Sequence, residues 1–395
     1  MMSYLDNNAT TAVAPEVAEA MQPYLHQQYG NPSSAYRIGR EAREAIARAR
    51  AQVASLLGAH TDEICFTSCG TESDNAALRS ALETQPERRR IVTTTVEHPA
   101  VLNFARRIEP KGYSVTYLPV DERGRLDMQA LKDAVDNSTA IVSVMHANNE
   151  TGVLFPIDEI STLCKERGAI FHTDAVQSIG KIPIDLKGMP VDMLSLSGHK
   201  LHAPKGIGVL FVRRGTPFES LIVGGHQEQG YRAGTENVAS IVGLGMACEL
   251  AANGLHKESA RLAALRDRLE QGLISACRDT RINGDASCRL PNTTNISFGY
   301  IEGEAILMKL DAAGICASSG SACSSGSDGP SHVLRAMKVP AEFIRGSLRL
   351  SLGRYTTEKE IDAALAIVPG IVADLRRLSP WLPGRGASCF GKSAE

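Results

Sequence analysis

The chain has 395 residues, 22% of them charged and 43% hydrophobic, with a formal net charge of −2. That length can support two domains with separate cores, and the near-balanced charge argues against a nucleic-acid or anionic-membrane surface. The N-terminal "MMSYLDNNATTAVAPE" has neither the charged nor the apolar region of a secretory leader, and no run approaches the ~18 apolar residues of a membrane span. Nine cysteines, an odd number scattered without paired spacing, predict free thiols in a reducing cytoplasm. Cys65/Cys69 and His199/His202 could each bring two ligands together, but no further pair completes a site, so no resident metal is expected.

Helix-like and strand-like segments alternate along the chain. Residues 41–58 carry apolar side chains at helical spacing and end in Gly58, which suits a C-cap. A strand is predicted at 63–68 and a helix at 70–82, opened by Gly70 and Thr71. The run Arg88–Arg90 reads as a solvated turn. Strand "RIVTTTV" leads into helical "PAVLNFARRI". Strand candidates "YSVTYLPV", "TAIVSVM" and "GAIFHTD" follow, separated by helical "LDMQALKDAV" and "IDEISTLCKER". Next come "VDMLSLS", "IGVLFV", a Gly-rich loop at 224–234 and a helix from about 235. This alternation predicts an α/β fold with a mostly parallel sheet covered on both faces. Ligands in such folds sit at the carboxyl ends of the strands.

After about residue 255 the pattern changes. A separate helix "KESARLAALRDRLEQGLISAC" precedes strand "TTNISFG", helix "EGEAILMKLDAAG", a Ser/Gly-rich loop, strand "SLRLSLG" and a last helix from Thr357. The expected division is a large domain over 15–255 and a smaller α+β domain made of 1–14 and 256–379. The latter carries a mobile loop at about 317–330, and 380–395 form a tail.

Several side chains stand at predicted strand mouths. Lys200 follows "DMLSLSGH"; a lysine there can be desolvated and become a good Schiff-base nucleophile. Alone it would be a solvated loop lysine. Asp174 ends "AIFHTD" and would alone be the N-cap of a following helix. A lysine at one mouth and a carboxylate at another is what pyridoxal phosphate needs: the amine holds the aldehyde, and the carboxylate pairs with the ring nitrogen. Gly70 and Thr71 between strand and helix suit its phosphate, with Ser197 and His199 as further donors. His98 could lie over the ring. In "SLRLSL", Ser347, Arg349 and Ser351 share one face, where a guanidinium could hold a carboxylate or simply face water. In "ICASSGSACSSGSDGP", Cys323 sits among serines and glycines with few packing contacts. Cys316 reads as a packed strand cysteine, and Cys65 and Cys69 as packing residues.

The motifs "YLDNNATT", "FTSCGTESDN", "VEHPAV", "HANNETG", "FHTDAVQSIGKIPIDL", "SLSGHKLHAPKG", "RAGTEN" and "SSGSACSSG", in that order over residues 4–380, resemble the pyridoxal-phosphate cysteine desulfurases of the NifS/IscS class. "HAPKG", "GGHQEQG" and "IEGEAIL" point to the nitrogenase-associated NifS branch. The resemblance implies an aminotransferase-like fold type I homodimer in the cytoplasm. It implies that Lys200 holds pyridoxal 5'-phosphate, Asp174 pairs with its ring nitrogen, and Gln177 bonds its ring oxygen. His98 would stack on the ring and move protons; Gly70, Thr71, Ser197 and His199 would bind phosphate. Thr235 would reach the partner subunit's phosphate. Asn149 would lie near the cofactor oxygen and the substrate, and Arg349 would clamp the substrate carboxylate. Cys323 would take sulfur from L-cysteine as a persulfide, leaving L-alanine, and would deliver it to a NifU-type iron–sulfur scaffold, touching a cluster there only transiently. A selenocysteine lyase or aminotransferase of the same fold type is the alternative, which would need no mobile Cys323.

Overall fold

The computed structural model describes residues 2–319 and 329–381; Cys323 and the tail beyond 381 lie outside the described residues. The strands are β1 (Ser3–Tyr4), β2 (Ile64–Thr67), β3 (Arg90–Thr94), β4 (Ser114–Leu118), β5 (Thr139–Ser143), β6 (Ile170–Asp174), β7 (Met193–Ser197), β8 (Gly208–Val212), β9 (Thr280–Ile282), β10 (Thr293–Phe298), β11 (Ile315–Cys316) and β12 (Ser347–Ser351). The helices are α1 (Pro15–His26), α2 (Arg37–Leu57), α3 (Gly70–Thr84), α4 (Pro99–Ile108), α5 (Met128–Ala134), α6 (Ile157–Arg167), α7 (Val238–Ala276), α8 (Gly303–Ala312), α9 (His332–Ala336), α10 (Ala341–Ile344) and α11 (Glu358–Leu378).

Seven strands form the main sheet in the order β2-β8-β7-β6-β5-β3-β4. β8 runs antiparallel to β2 and β7, and the other neighbours are parallel. Every residue of β5, β6, β7 and β8 is buried, as expected of central strands covered on both faces. Parallel neighbours need crossovers: α4 joins β3 to β4 and α6 joins β5 to β6, while β6 passes to β7 through a stretch without a helix. Gly58 closes α2 with φ +61°, a left-handed conformation that glycine adopts without a Cβ clash. The mostly parallel mixed sheet with helices on both faces agrees with the expected fold type I architecture.

A second sheet, β12-β10-β9, is antiparallel, and β1 pairs in parallel with β11. Its core gathers Leu5, Leu265, Leu269, Ile296, Phe298, Leu348, Leu350 and Ile361. Two features depart from the sequence expectation. The helices expected on either side of residue 255 are one helix, α7, of 39 residues. Its first half gives Ile241, Leu244 and Ala247 to the main-sheet core, and its second half gives Leu262, Leu269 and Leu273 to the other. α7 is also long and apolar enough in part to meet the composition of a membrane span, although its buried face lies in these two cores. Furthermore, Val333, Leu334, Met337 and Ile344 pack in the main-sheet core, although they lie within the segment expected to belong to the smaller unit.

The N-terminal segment links the two regions. Asp6 bridges to Ser351. The Asn8 side chain donates to the Asn149 carbonyl at 3.2 Å and to Thr293 Oγ1 at 2.9 Å. Its own carbonyl oxygen faces the mouths of β6 and β7, as described next.

Candidate active site

The ends of five strands converge. β2 leads into Gly70 and Thr71 at the start of α3; β3 leads to His98, the N-cap of α4; β5 leads to Asn149. β6 ends at Asp174, and β7 ends at Ser197, followed by a short 3-10 turn that carries His199 and Lys200. All eight of these residues line one cavity of roughly 720 Å³, counting its open mouth, together with Gln177. The carboxyl edge of the sheet is therefore the site, as the open α/β topology requires.

At one wall, Lys200 Nζ donates to the carbonyls of Asn8 and, at 2.7 Å, Ala9. The Asn8 carbonyl also accepts the Gln177 amide at 3.0 Å. Gln177 in turn accepts Lys181 Nζ, at 2.7 Å on its carbonyl and 3.3 Å on Oε1. Burial pushes the Lys181 ammonium down to about 7, helped by the neighbouring charges of Lys200 and Arg349. His199 Nδ1 meets Thr10 Oγ1 at 3.1 Å. Burial, with Lys200 nearby, pushes His199 down to about 4, so this imidazole is neutral at physiological pH and can offer a hydrogen bond without a charge.

The floor is acidic. Asp174, 7% exposed, accepts the Val176 N–H at 2.9 Å. No helix follows it, so the helix-cap alternative does not apply. Burial holds its carboxyl above the usual range, opposed by His98, the Val176 N–H and Lys200. Burial likewise lowers the proton affinity of His98. The Ala100 N–H donates to His98 Nδ1 at 3.1 Å, which leaves Nε2 as the protonated nitrogen of the neutral ring. Sequence reasoning missed Asp74, which also lines the cavity. It is 1% exposed, and its Oδ1 has no hydrogen-bond partner among the described residues. Asp74 interrupts the apolar stripe of Ala77, Leu78 and Ala81 on α3, and that polar intrusion was the available signal.

The rim is built from α3. Its N-cap, Cys69, makes no side-chain cap, so the first-turn amides are not covered by their own chain. A Cβ on Gly70 would come within 2.8 Å of Val176 Cγ2 and 3.5 Å of Ser197 Cβ, so only glycine leaves this corner open. The cavity thus has amide donors suited to an anion, a primary amine, and a buried carboxyl floor with an orphaned oxygen. These groups fit pyridoxal phosphate, which has an anionic arm, an aldehyde and a protonatable ring nitrogen.

Two expected residues, Arg349 and Thr235, sit apart from this cavity. Arg349 is fully buried rather than solvated. It pairs with Asp6 at 2.8 Å and donates to the Asn149 carbonyl at 3.1 Å, while its Nε finds no acceptor among the described residues. Thr235 is exposed and lines a different groove with Ser68, Arg232 and Asn237. Cys323 lies outside the described residues. Of the other cysteines, Cys65 is buried as expected, with burial holding its thiol far above its usual value. Cys69 lines the cavity instead of packing away from it. Cys316 on β11 is half-buried rather than a core residue, because its strand pairs only with the two-residue β1 at the margin.

The sequence model of the aminotransferase class-V family matches residues 3–364. A protein of Trichormus azollae named cysteine desulfurase is 59% identical over 378 residues, covering 96% of this chain and 94% of the relative. Cysteine desulfurase NifS of Azotobacter vinelandii is 56% identical over 384 residues, covering 97% and 96%. A solved NifS-like protein superposes with a TM-score of 0.90 at 40% identity, covering 95% of this chain and all of the other. A structure described as SspA in complex with cysteine superposes with a TM-score of 0.79 at 35% identity, covering 90% of this chain and all of the other.

Proposed function

The chain belongs to the aminotransferase class-V family, and we propose that it is a cysteine desulfurase: it takes sulfur from L-cysteine, releases L-alanine and carries the sulfur as a persulfide on Cys323. The observation that carries this reading is the meeting of Lys200, Asp174, His98 and the α3 N-terminus in one cavity, in a chain 56% identical to a NifS. The cofactor of this reading is pyridoxal 5'-phosphate, which supplies an electron sink for the bonds at the substrate's α-carbon.

The residues divide the work by position. Gly70, Thr71, Ser197 and His199 hold the phosphate end, with His199 neutral. Asp174 would pair with the ring nitrogen, and Gln177 with the ring oxygen. His98 would stack on the ring; because its Nδ1 accepts the Ala100 N–H, any proton it handles would pass at Nε2. Lys200 would hold the cofactor's aldehyde and, with the substrate amine in its place, would be the base positioned for the α-proton. The two carbonyls of Asn8 and Ala9 aim its Nζ before that step. Asn149 lies beside the substrate, and its carbonyl touches Arg349, which would meet the substrate carboxylate by exchanging Asp6 for it. Cys323 attacks the substrate sulfur as a thiolate. The C–S bond breaks, its electron pair stays with carbon, and one sulfur atom moves to the enzyme. The division into units of 15–255 and of 1–14 with 256–379 belongs to the same reading.

A homodimer in the cytoplasm, with Thr235 reaching the partner's phosphate site, completes the proposal. Its support is the segment from Gln227 to Glu236, which forms a groove with Pro32 and Ser33 and is pinned by Glu228 to Arg50 at 2.6 Å. Tyr29 and Tyr36, which flank Pro32 and Ser33, are exposed, and exposed aromatic side chains suit an interface. The sulfur acceptor of this reading is a NifU-type scaffold, and the role is cluster assembly for nitrogenase. The test is incubation with L-cysteine and a reductant. Wild-type protein should give equal alanine and sulfide; Cys323→Ala should retain the cofactor band and give neither product. Normal sulfide from the variant would refute the persulfide route.

A further inference from the structure

The geometry points to Asp74 and Asp174 as a carboxyl pair that keeps a proton in the cofactor-free protein and gives it to the cofactor's ring nitrogen on loading. Asp74 is then a positioning residue: it acts through Asp174. The inference rests on the pyridoxal phosphate reading and adds to it the protein's own source of the proton that makes the ring an electron sink.

One oxygen of Asp74, one of Asp174 and a ring nitrogen of His98 lie within 4.8 Å of one another. Both carboxyls are more than nine-tenths buried. Two carboxylates that close, out of water, cannot both ionise cheaply, so the pair titrates as a unit and retains a proton past the ordinary range. Burial, then the Asp174 charge, holds the Asp74 carboxyl well up.

The groups facing Asp74 come from several elements, and each bears on where that proton sits. From β6, His172 Nε2 approaches Oδ1 at 3.5 Å, too far for a hydrogen bond. Both His172 nitrogens are engaged, with Ser143 Oγ at 2.9 Å and Ser195 Oγ at 2.9 Å. Burial pushes that ring down to about 3, so it supplies no cation. Ser195 on β7 is directly opposite Asp174 in register and also hydrogen-bonds Asp74. Glu97, before α4, and Cys69, on α3's own cap, add only negative influence. His98 and Lys200 lower the proton affinity of Asp174. The Lys200 ammonium therefore favours a charge on Asp174 and leaves the proton to Asp74. When a ring nitrogen arrives beside Asp174, the proton moves from carboxyl oxygen to nitrogen; no electrons are transferred, and an N–H⁺ faces the carboxylates.

The experiment counts protons while pyridoxal phosphate binds to cofactor-free protein at pH 8, by calorimetry in buffers of different ionisation enthalpy. Asp74→Asn removes one carboxyl, so its Asp174 starts unprotonated and the ring must draw its proton from solvent. The expected result is a net uptake larger than wild type, by an amount approaching one proton per site. Ser195→Ala, which keeps both carboxyls, should resemble wild type. Equal counts in wild type and Asp74→Asn overturn the inference alone; wild-type protein that binds no pyridoxal phosphate overturns the cofactor reading and this inference with it. If Asp74→Asn does not fold, the wild type still decides: its loading difference spectrum in the infrared should lose a protonated-carboxyl band, and a spectrum without that loss refutes the proposal.

Discussion

The two ends of the cavity are made of opposite materials. The floor is side chains, the buried Asp174 and Asp74 with the half-buried His98, beside a hydrogen-bonded network on β5, β6 and β7. The rim is backbone, the first turn of α3, where the absence of side chains at Gly70 and of a cap at Cys69 leaves room for a ligand. Buried charge is costly unless it meets its counterpart, so the floor is selective for the electronic state of what binds. Amides at a helix end attract any anion, so the rim governs grip more than chemistry.

Changes at the wall and floor should hurt turnover, and changes at the rim should hurt affinity. The largest effect is expected for Lys200→Ala: loss of the visible band of lysine-held cofactor, and turnover down by at least about 10⁴-fold, since nucleophile and base vanish together. Asp174→Ala should lower kcat by roughly 10²–10³-fold through lost electrostatic support, with protein still able to bind cofactor in an absorbance titration. Gly70→Ala should leave kcat of saturated enzyme nearly intact and weaken cofactor affinity about tenfold, because a Cβ 2.8 Å from Val176 Cγ2 costs of the order of 1–3 kcal/mol. A large fall in kcat for Gly70→Ala, with little in affinity, would erase the distinction between the two ends.

The smallest effect lies beneath the floor. Glu97 is fully buried and accepts from Thr94 Oγ1 and the Met145 N–H, and burial pushes its carboxyl up from 4.5 to about 8. The folded protein therefore keeps a proton that the unfolded chain releases. That contribution is fully present below about 4.5 and is lost as pH rises to about 8. The urea midpoint of wild type should fall across this window, and Glu97→Gln should fall less. Glu150, pushed by burial to about 7, leaves a residual slope of the same sign.

Much of this was legible in the sequence. Runs of β-branched and apolar residues marked β2 to β8, and Lys200 and Asp174 stood out because they end such runs. Other features were invisible for physical reasons. The unbroken course of α7 was hidden because its buried face changes partner between Cys248 and Leu262, which breaks the apolar phase exactly where a reader looks for a boundary. Arg349 faces Asp6, 343 residues away, and local pattern carries no trace of such a partner. Asp74 was visible as an acid in an apolar stripe but was read only as part of a helix. The positions of Thr235 and of Pro32 beside Glu236 depend on chain topology, which spacing does not encode.

The single shaft of α7 has a mechanical consequence. Its two halves are cemented into different cores, and no break near residue 255 offers a pivot. The β9–β12 region therefore cannot swing against the main sheet like a door; any approach of Arg349 toward the cavity has to come from flexure of that shaft or from rearrangement of side chains around Asp6. Stiffness in one helix thereby limits how far the two halves of the site can drift apart between turnovers.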